Sequence, residues 1–361
     1  MTRFTRPELE SYIRSIDAAA YAKERNHVGH STRLSEYITR GVIDLPSIRE
    51  LILERNSASA SYKLINELAW REYWQSVWRV KGNKMFETIR PGDREVRNEL
   101  PLAVLEARTG ITELDKGIRE LYETGYIHNH MRMWLAGLVC SVARCDWRVG
   151  ADWMMSHLID GDYASNHLSW QWCAGTYTGK PYLPQQDNIN TYTSTRQTGT
   201  FLDAGYDQIS DMAIPEVLQE TGARTPHAVT LPEATISVTD LSGAKSLSLY
   251  SPWTLDSTWH SNDQGTRVLL LETEALNQGG FNQNVIDSIG HFASEIPELK
   301  IAHVSTDEIR SLQSDSIRRK DYPGIAHWPG EVDAPELLYS GVPQQFYPSF
   351  SAFWKQAQKS A

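Results

Sequence analysis

The hydrophobic pattern of this 361-residue chain changes its period along the sequence, and this change limits the fold more than any other feature. Before about residue 215, apolar residues recur at helical spacing over 46–56, 61–80, 112–124, 128–145 and 149–159. Gly82, Gly125 and Gly150 stand where helix C-caps are expected. Alternating strand patterns are hard to find there, so the first part predicts a mostly helical unit.

The later part shows a different pattern, after a stretch rich in Thr, Gly, Pro and Gln between 175 and 230 that indicates extended loops. Residues 247–250, 267–272 and 300–305 have the composition of buried strands, and 284–298 has a helical pattern. This alternation predicts a βαβ unit and a small parallel sheet. We therefore predict a mostly α protein with a helical domain over 1–215, followed by a small α/β domain over 235–361.

Charge divides at the same place. The net charge is −10, and the residues from 216 to 361 carry ten Lys and Arg against eighteen Asp and Glu. The first part therefore has 25 basic and 27 acidic side chains and is close to neutral. That balance is compatible with a surface that contacts phosphates. Eight of the twelve tryptophans also lie before residue 215.

Composition excludes several classes of protein. No segment approaches the roughly 20 consecutive apolar residues of a membrane span. The first fifteen residues lack the apolar core of a secretion signal, so we expect a cytoplasmic protein. Cys140, Cys145 and Cys173 are an odd number with no CxxC motif. We therefore expect neither a disulfide scaffold nor a zinc cluster.

One candidate site follows from the helical segment 61–80. Glu67, Trp70, Arg71 and Trp74 are spaced so that they share one helix face. Two interpretations remain open at this point. The face forms a Glu67–Arg71 pair beside two packing tryptophans, or it lines a cavity in which the indoles stack on a ligand and the charged groups bind its polar edges.

A second group involves an arginine that needs a counter-charge. Asn129, Arg132 and Met133 share a helix face, and an arginine within a tryptophan-rich domain is costly unless a carboxylate or phosphate meets it. Asp160 and Asp162 can supply that carboxylate. Because no histidine cluster or further acid accompanies this DxD motif, we predict no metal site.

A third group lies at residues 30–37. Ser31, Thr32 and Ser35 offer hydroxyls and backbone amides at an expected helix start, with Arg33 adjacent. Such a segment is either an ordinary helix N-cap or a binding site for an anion.

Together, in this order, these segments resemble the photolyase/cryptochrome family of flavoproteins. The resemblance rests on STRLSEY, NELAWREYW, TGYIHNHMRMWLAG and DWRVGADWMMSHLIDGDYASNHLSWQW, and covers about residues 20–200. It implies a helical domain that binds FAD. It also implies a set of residues at the FAD pyrophosphate: Tyr21, Ser31, Thr32, Arg33, Leu34 and Ser35.

The resemblance implies further contacts to the flavin and adenine rings, by Arg71, Asn129, Arg132, Asp160 and Asp162. Arg132 and Asp160 match a buried ion pair beside the flavin, and Asn166 matches the residue that faces flavin N5. Trp170 and Trp147 match the flavin-proximal and middle members of a chain of electron donors. The third indole of that chain is expected near Arg94, where this sequence has none.

The resemblance also implies a substrate pocket for a pyrimidine dimer flipped out of DNA. Trp70 is expected to stack on the dimer, Glu67 and Asn129 to hydrogen-bond its base edges, and Met133 to line the pocket. This favours an enzyme of the deoxyribodipyrimidine photo-lyase type. His130 stands where an arginine that grips DNA phosphate is expected, which predicts weaker duplex binding.

Two alternatives stay open. One is a cryptochrome-like light or redox signalling protein, with the acidic α/β domain as a surface for a protein partner. The other is a protein that binds single-stranded nucleic acid through the aromatic pocket without repair. The α/β domain of the family precedes the helical domain, whereas the predicted α/β domain follows it here. It either packs where the family's domain does or serves a partner.

Overall fold

The computed structural model describes residues 3–92 and 95–360. Helices dominate the first two thirds of the chain. In chain order they are α1 (Arg6–Ser15), α2 (Ala18–Glu24), α3 (Ser35–Thr39), α4 (Leu45–Leu53), α5 (Ala58–Lys81), α6 (Leu102–Leu105), α7 (Thr112–Thr124), α8 (Asn129–Gly137), α9 (Trp147–His157), α10 (Tyr163–Ala174), α11 (Gln186–Thr193), α12 (Tyr206–Asp211), α13 (Val238–Leu241), α14 (Thr273–Gly279), α15 (Gln283–Ser294), α16 (Thr306–Ser311) and α17 (Phe350–Ala357). Short 3-10 helices cover Gly82–Phe86, Glu216–Leu218 and Pro323–Ile325, and a π-helical turn covers Leu138–Val142.

Within residues 3–92 and 95–360 the strands form two sheets. They are β1 (Leu100–Pro101), β2 (Thr221–Gly222), β3 (Ser246–Tyr250), β4 (Thr266–Glu272), β5 (Lys300–Val304), β6 (Ser316–Lys320) and β7 (Glu331–Asp333). β1 and β2 pair antiparallel, and the other five form a parallel sheet in the order β5-β4-β3-β6-β7. The predicted βαβ unit is β4–α15–β5. Strand β3 is central in the sheet, with β4 and β5 on one side of it and β6 and β7 on the other.

Local sequence signals explain where many helices begin and end. Asp44, Asp162 and Asn282 accept hydrogen bonds from backbone N–H groups in the first turns of α4, α10 and α15. These side chains satisfy donors that the helix itself leaves unpaired. Gly125 ends α7 and Gly175 ends α10, both with positive φ. A residue without a Cβ adopts this left-handed backbone at little cost.

Gly150 does not end a helix, contrary to the sequence prediction. It lies inside α9, where a Cβ atom built on it would come within 2.2 Å of the Trp170 ring. Glycine at this position therefore allows α10 to pack closely against α9. A ring twenty positions away in the sequence sets this requirement, so the local pattern could not reveal it.

The chain divides into two compact units, and each is made of three segments. An α/β unit combines residues up to 16 with 33–59 and 227–340, and a helical unit combines 17–32, 60–226 and 341 onward. The predicted consecutive domains, 1–215 and 235–361, therefore differ from the units in the structure. Leu9, Ile13, Ile48 and Ile52 explain part of the difference, because α1 and α4 bury these side chains within the α/β unit.

Each unit has its own buried core. The helical unit buries Trp134 and Trp153 almost completely, among apolar side chains from α7 to α10. The α/β unit buries Leu249, Leu270 and Phe292 between its sheet and helices. Over the described residues, no helix combines the length and hydrophobicity needed to cross a bilayer.

Candidate flavin and substrate site

Helix α5 supplies several of the predicted site residues to the helical unit. Trp74 is buried, whereas Glu67, Trp70 and Arg71 are half-buried. Glu67 pairs with Arg25, the residue that follows α2, at 2.6 Å between Oε1 and Nη1. Arg71 Nη2 lies 3.3 Å from a carboxylate oxygen of Asp162. The charged groups of this face thus reach residues outside α5.

Asp162 is a buried carboxylate at the start of α10. It accepts a hydrogen bond of 2.7 Å from the Ser165 backbone N–H and one of 2.5 Å from Gln75 Nε2, in addition to the pairing with Arg71. A helix N-terminus favours a negative charge, and the arginine compensates its burial. The Asp162 carboxylate therefore ties α5 to α10.

Arg132 and Asp160 form the expected ion pair. Nη2 of Arg132 lies 3.0 and 2.8 Å from the two carboxylate oxygens of Asp160, and its Nε donates to the Ile127 carbonyl oxygen at 2.9 Å. The guanidinium also lies over the Tyr126 ring, 5.6 Å from its centroid. The carboxylate thus supplies the counter-charge that the sequence analysis required. The position of this pair beside a flavin stays a prediction.

Tyr21 lies close to this group of charges. Burial raises its pKa, with a further contribution from the charge of Glu67, so the phenol stays protonated at neutral pH. Burial also raises the pKa of Glu67, against the opposing charge of Arg25. The elevated pKa brings the Glu67 carboxyl closer to the neutral form, which can donate a hydrogen bond.

The predicted pyrophosphate segment is divided between the two units. Ser31 and Thr32 belong to the helical unit, and the Ser31 hydroxyl accepts a hydrogen bond of 2.9 Å from the Tyr126 hydroxyl. Arg33, Leu34 and Ser35 belong to the α/β unit, where α3 begins at Ser35. The expected helix start is therefore present. The role of the segment in holding an anion stays a prediction.

Asn129 and Met133 lie one turn apart on α8. Asn129 is exposed and its amide nitrogen lies 3.9 Å from the Met133 sulfur. The start of this helix is tied to the turn after α2. His130 Nδ1 lies 2.8 Å from the carbonyl oxygen of Asn26, the residue next to the Arg25 that pairs with Glu67. The structure thus links the predicted pocket residues of α5 and α8 through the end of α2.

His130 does not replace the missing phosphate-binding arginine. Its ring stacks on Tyr192, with centroids 4.9 Å apart, and lies 5.6 Å from the Trp134 ring. Burial lowers the pKa of His130, which favours the neutral imidazole. The side chain therefore contributes packing in place of a positive charge.

Trp170 and Trp147 are both buried, on α10 and at the start of α9. The Trp147 indole N–H donates to the Thr88 hydroxyl at 3.0 Å, and the Arg148 guanidinium lies 5.3 Å from its ring centroid. Asn166 is buried and donates from Nδ2 to the Ala151 carbonyl oxygen at 2.8 Å. Arg94, near which the third indole was expected, lies outside the described residues.

The residues around Asp162 fit a polar ligand such as FAD. Gln75 Oε1 and Ser165 Oγ are buried and have no hydrogen-bond partner within the described part of the chain. Leaving such atoms unsatisfied is unfavourable, and both flank the Asp162 carboxylate. A ligand with hydroxyl and amide groups would satisfy them. The sequence analysis missed Gln75 although it stands four positions after Arg71 on the same helix, which is the signal that could have revealed it.

Comparison with known proteins gives a family match over the same segments. Residues 64–211 match the model of the FAD binding domain of DNA photolyase. This range contains most of α5, the Arg71–Asp162 and Arg132–Asp160 pairs, and both predicted electron donors.

Curated relatives agree over about half of the chain. The deoxyribodipyrimidine photo-lyase of Vibrio cholerae is 34% identical over 193 residues, which cover 50% of this chain and 39% of that protein. Cryptochrome DASH of Danio rerio is 32% identical over 179 residues, covering 46% and 34% of the two chains. The chain thus spans well under half the length of these relatives.

Solved structures match a similar share of the chain. A cryptochrome of Synechocystis sp. PCC6803 shares 25% identity with a TM-score of 0.48, over 53% of this chain and 44% of that one. A class III photolyase from Agrobacterium tumefaciens shares 20% identity with a TM-score of 0.47, over 52% and 42%. The family model and the curated relatives agree with the motifs of α5, α8 and α10, and with FAD as the cofactor. On this ground residues 64–211 are similar to the FAD binding domain of the photolyase/cryptochrome family of flavoproteins.

Proposed function

We propose that this protein uses light to split cyclobutane pyrimidine dimers in DNA. The observation that carries the proposal is the state of Trp70. Its indole is half-buried, and within the described residues its N–H has no hydrogen-bond partner. An indole with an accessible surface next to the Glu67 carboxyl offers stacking and hydrogen bonding to a base taken out of the DNA helix.

The residues of the site have separate tasks in this proposal. Trp70 stacks on the dimer, and Glu67 and Asn129 hydrogen-bond the base edges. Burial raises the pKa of Glu67, so this carboxyl takes up a proton more readily than an exposed one and can then donate to a base carbonyl. Arg71, Arg132, Asp160, Asp162 and Asn166 hold the flavin, together with Tyr21, Ser31 and Thr32 of the same unit.

FAD, when bound in its reduced form and excited by light, supplies the electron that reaches the dimer. Two carbon–carbon bonds of the cyclobutane ring then break and the electron returns, so the reaction has no net oxidation or reduction. If the flavin becomes oxidised, Trp147 and Trp170 would relay electrons to it from an external reductant. The protein contributes positioning and a fixed electrostatic environment.

We further propose that single-stranded lesions are the better substrates. His130 supports this, because the imidazole is stacked on Tyr192 and its pKa is lowered by burial. A duplex would gain no charge contact from this position, whereas stacking on Trp70 does not depend on the second strand.

The test is direct. Purified protein with reduced FAD is illuminated with an oligothymidylate that contains a thymine dimer, as a single strand and annealed to its complement, and the recovery of thymine absorbance is followed. We expect recovery in the light and none in the dark, and faster recovery on the single strand. Absence of recovery on both substrates, with FAD bound and reduced, would overturn the repair proposal and favour light signalling.

A further inference from the structure

The segment after residue 341 lies along helix α5 of the same unit. The Trp354 indole N–H donates to the Tyr62 hydroxyl at 3.2 Å, and the Tyr73 hydroxyl donates to the Tyr347 carbonyl oxygen at 3.0 Å. Later residues of the segment therefore meet earlier residues of α5. The segment thus runs antiparallel to α5 and covers its aromatic side chains.

Phe350, the first residue of α17, stacks on Trp70. The ring centroids are 3.9 Å apart and the ring planes differ by 12°. Trp74 and Tyr73 surround the pair, with centroids 5.5 and 5.9 Å from that of Trp70. Phe350 is only 9% exposed, so this side of the indole is enclosed by protein.

The two faces of the Trp70 indole are therefore unequal. One face is covered by Phe350, whereas the residue as a whole keeps an intermediate exposure. Because Phe350 covers one face, a base that stacks on the Trp70 indole must approach the opposite face. An indole held on one side by a parallel ring loses little conformational freedom when a base stacks on the other side.

We propose that Phe350 is a positioning residue of the substrate pocket. It holds the plane of the Trp70 indole so that the free face is ready to stack on a flipped-out pyrimidine dimer. This inference rests on the proposed function and adds to it, because it makes the C-terminal helix part of DNA recognition. Phe350 itself does not touch the dimer.

The experiment compares two leucine substitutions in α17. Phe350→Leu removes the ring that stacks on Trp70, and Phe353→Leu removes a buried ring that packs on Tyr73 at 5.6 Å between centroids. The full-length protein with bound FAD is mixed in the dark with a fluorescently labelled oligothymidylate that contains one thymine dimer. Fluorescence anisotropy then gives the dissociation constant, and the same strand without a dimer is the reference.

We expect Phe350→Leu to weaken dimer binding by about fivefold to tenfold, since base stacking on aromatic rings contributes effects of that order or larger. Phe353→Leu should leave the dissociation constant unchanged, although both variants should unfold at a lower temperature. Phe350→Tyr keeps a flat ring and should restore binding. The FAD absorption spectrum should be the same in all three variants.

The outcomes separate the two proposals. Equal losses of affinity in Phe350→Leu and Phe353→Leu would show a general structural effect and overturn the positioning role. Unchanged binding in Phe350→Leu, combined with a loss in Trp70→Ala, would also overturn it and leave the proposed function intact. Unchanged binding in Trp70→Ala would overturn the proposed function itself.

Discussion

Each of the two units buries a carboxylate. The groups that hydrogen-bond to this carboxylate differ in how completely their own polar atoms are paired. In the α/β unit, Glu272 at the end of β4 accepts hydrogen bonds from Thr306, from His327 at 3.0 Å and from Trp328 at 3.2 Å. Burial alone would raise the pKa of Glu272, but these hydrogen bonds and the charge of His327 outweigh it and lower that pKa. Among the described residues, none of these donors has a buried polar atom without a partner.

In the helical unit, Asp162 is also buried and bonded, but its neighbours are not fully satisfied. Gln75 and Ser165 each use one polar group on Asp162 and keep a second, buried one without a partner in the described chain. The comparison teaches that burial of a carboxylate does not by itself indicate function. Incomplete satisfaction of the groups around it distinguishes a place for a ligand from a structural cluster.

The largest effect is expected from breaking the second charge pair of the helical site. Asp160→Asn leaves Arg132 without its counter-charge, and we expect the free energy of unfolding of the apoprotein to fall by about 3 kcal/mol. FAD affinity should fall as well. Urea unfolding followed by tryptophan fluorescence measures the first quantity.

Glu54→Gln is the control for this prediction. It removes a carboxylate bonded to Arg14 at the same 2.8 Å, but at an exposed position. We expect little change in stability from this substitution. Equal effects of the two substitutions would contradict the role assigned to burial.

Acid should destabilise the helical unit through His128. Burial, together with the charge of His130, lowers the pKa of His128 from 6.5 to about 4. The folded protein therefore binds fewer protons than the unfolded chain between these values, and stability is lost as the pH falls from about 6.5 toward 4. The loss should approach about 3 kcal/mol.

His128→Gln tests this prediction. The variant should show a shallower decrease in the free energy of unfolding over that pH range. Parallel curves for the parent and the variant would refute the assignment. In the α/β unit, by contrast, His327 is hydrogen-bonded to the carboxylate of Glu272.

Glycine substitutions test how tightly the donor tryptophan is packed. Gly150→Ala would place a Cβ atom 2.2 Å from the Trp170 ring, and we expect a loss of about 2 kcal/mol in stability and slower light-driven reduction of FAD. Gly290→Ala in α15 would meet its nearest neighbour, Pro232, at 3.5 Å. It should instead stabilise the protein by about 0.5 kcal/mol, since glycine is unfavourable inside a helix. Thermal unfolding of both variants measures the change in stability, and the rate of light-driven FAD reduction measures the effect on Trp170.

The smallest effects are expected from groups that hydrogen-bond to Glu272 or lie beside Asp162. Thr306→Val removes a hydrogen bond to a buried carboxylate, and we expect the free energy of unfolding to fall by about 1.5 kcal/mol with FAD affinity unchanged. Ser165→Ala removes a hydroxyl without a partner, so the apoprotein should keep its stability and FAD affinity should fall by about fivefold. FAD titration measures the affinity of both variants, and urea unfolding measures their free energy of unfolding. The opposite pattern would show that the Ser165 hydroxyl is not directed at a ligand.

Sequence patterns predicted much of the fold because the relevant signals are local. The helices α5 and α7 and the strands β3 to β5 follow from periodicity, with bounds that differ by a few residues at most. Strands β6 and β7 were not predicted, because SIRRK and EVD are charged and partly exposed near the edge of the sheet. A carboxylate partner for Arg132 was predicted because a buried arginine requires a counter-charge, and the family resemblance implied that the partner is Asp160.

Features that depend on distant contacts were not predictable in this way. The assignment of α1, α3 and α4 to the α/β unit depends on contacts such as the 2.7 Å hydrogen bond from the Ser288 hydroxyl to Glu36. The stacking of Phe350 on Trp70 likewise joins two segments that show no sequence relation. Periodicity identifies the buried face of an element, but not the partner that covers it.

The position of α17 has a consequence for the order of folding. The Tyr73 hydroxyl and the Tyr347 carbonyl are separated by 274 positions in the chain. During synthesis, α5 leaves the ribosome long before the segment that covers it, so its aromatic side chains await their partners. Contacts of such high sequence separation form late and slowly, and exposed aromatic surface invites aggregation in the interval. A chain released before residue 350 would lack the ring that stacks on Trp70, so the proposed pocket depends on a segment that is made long after α5.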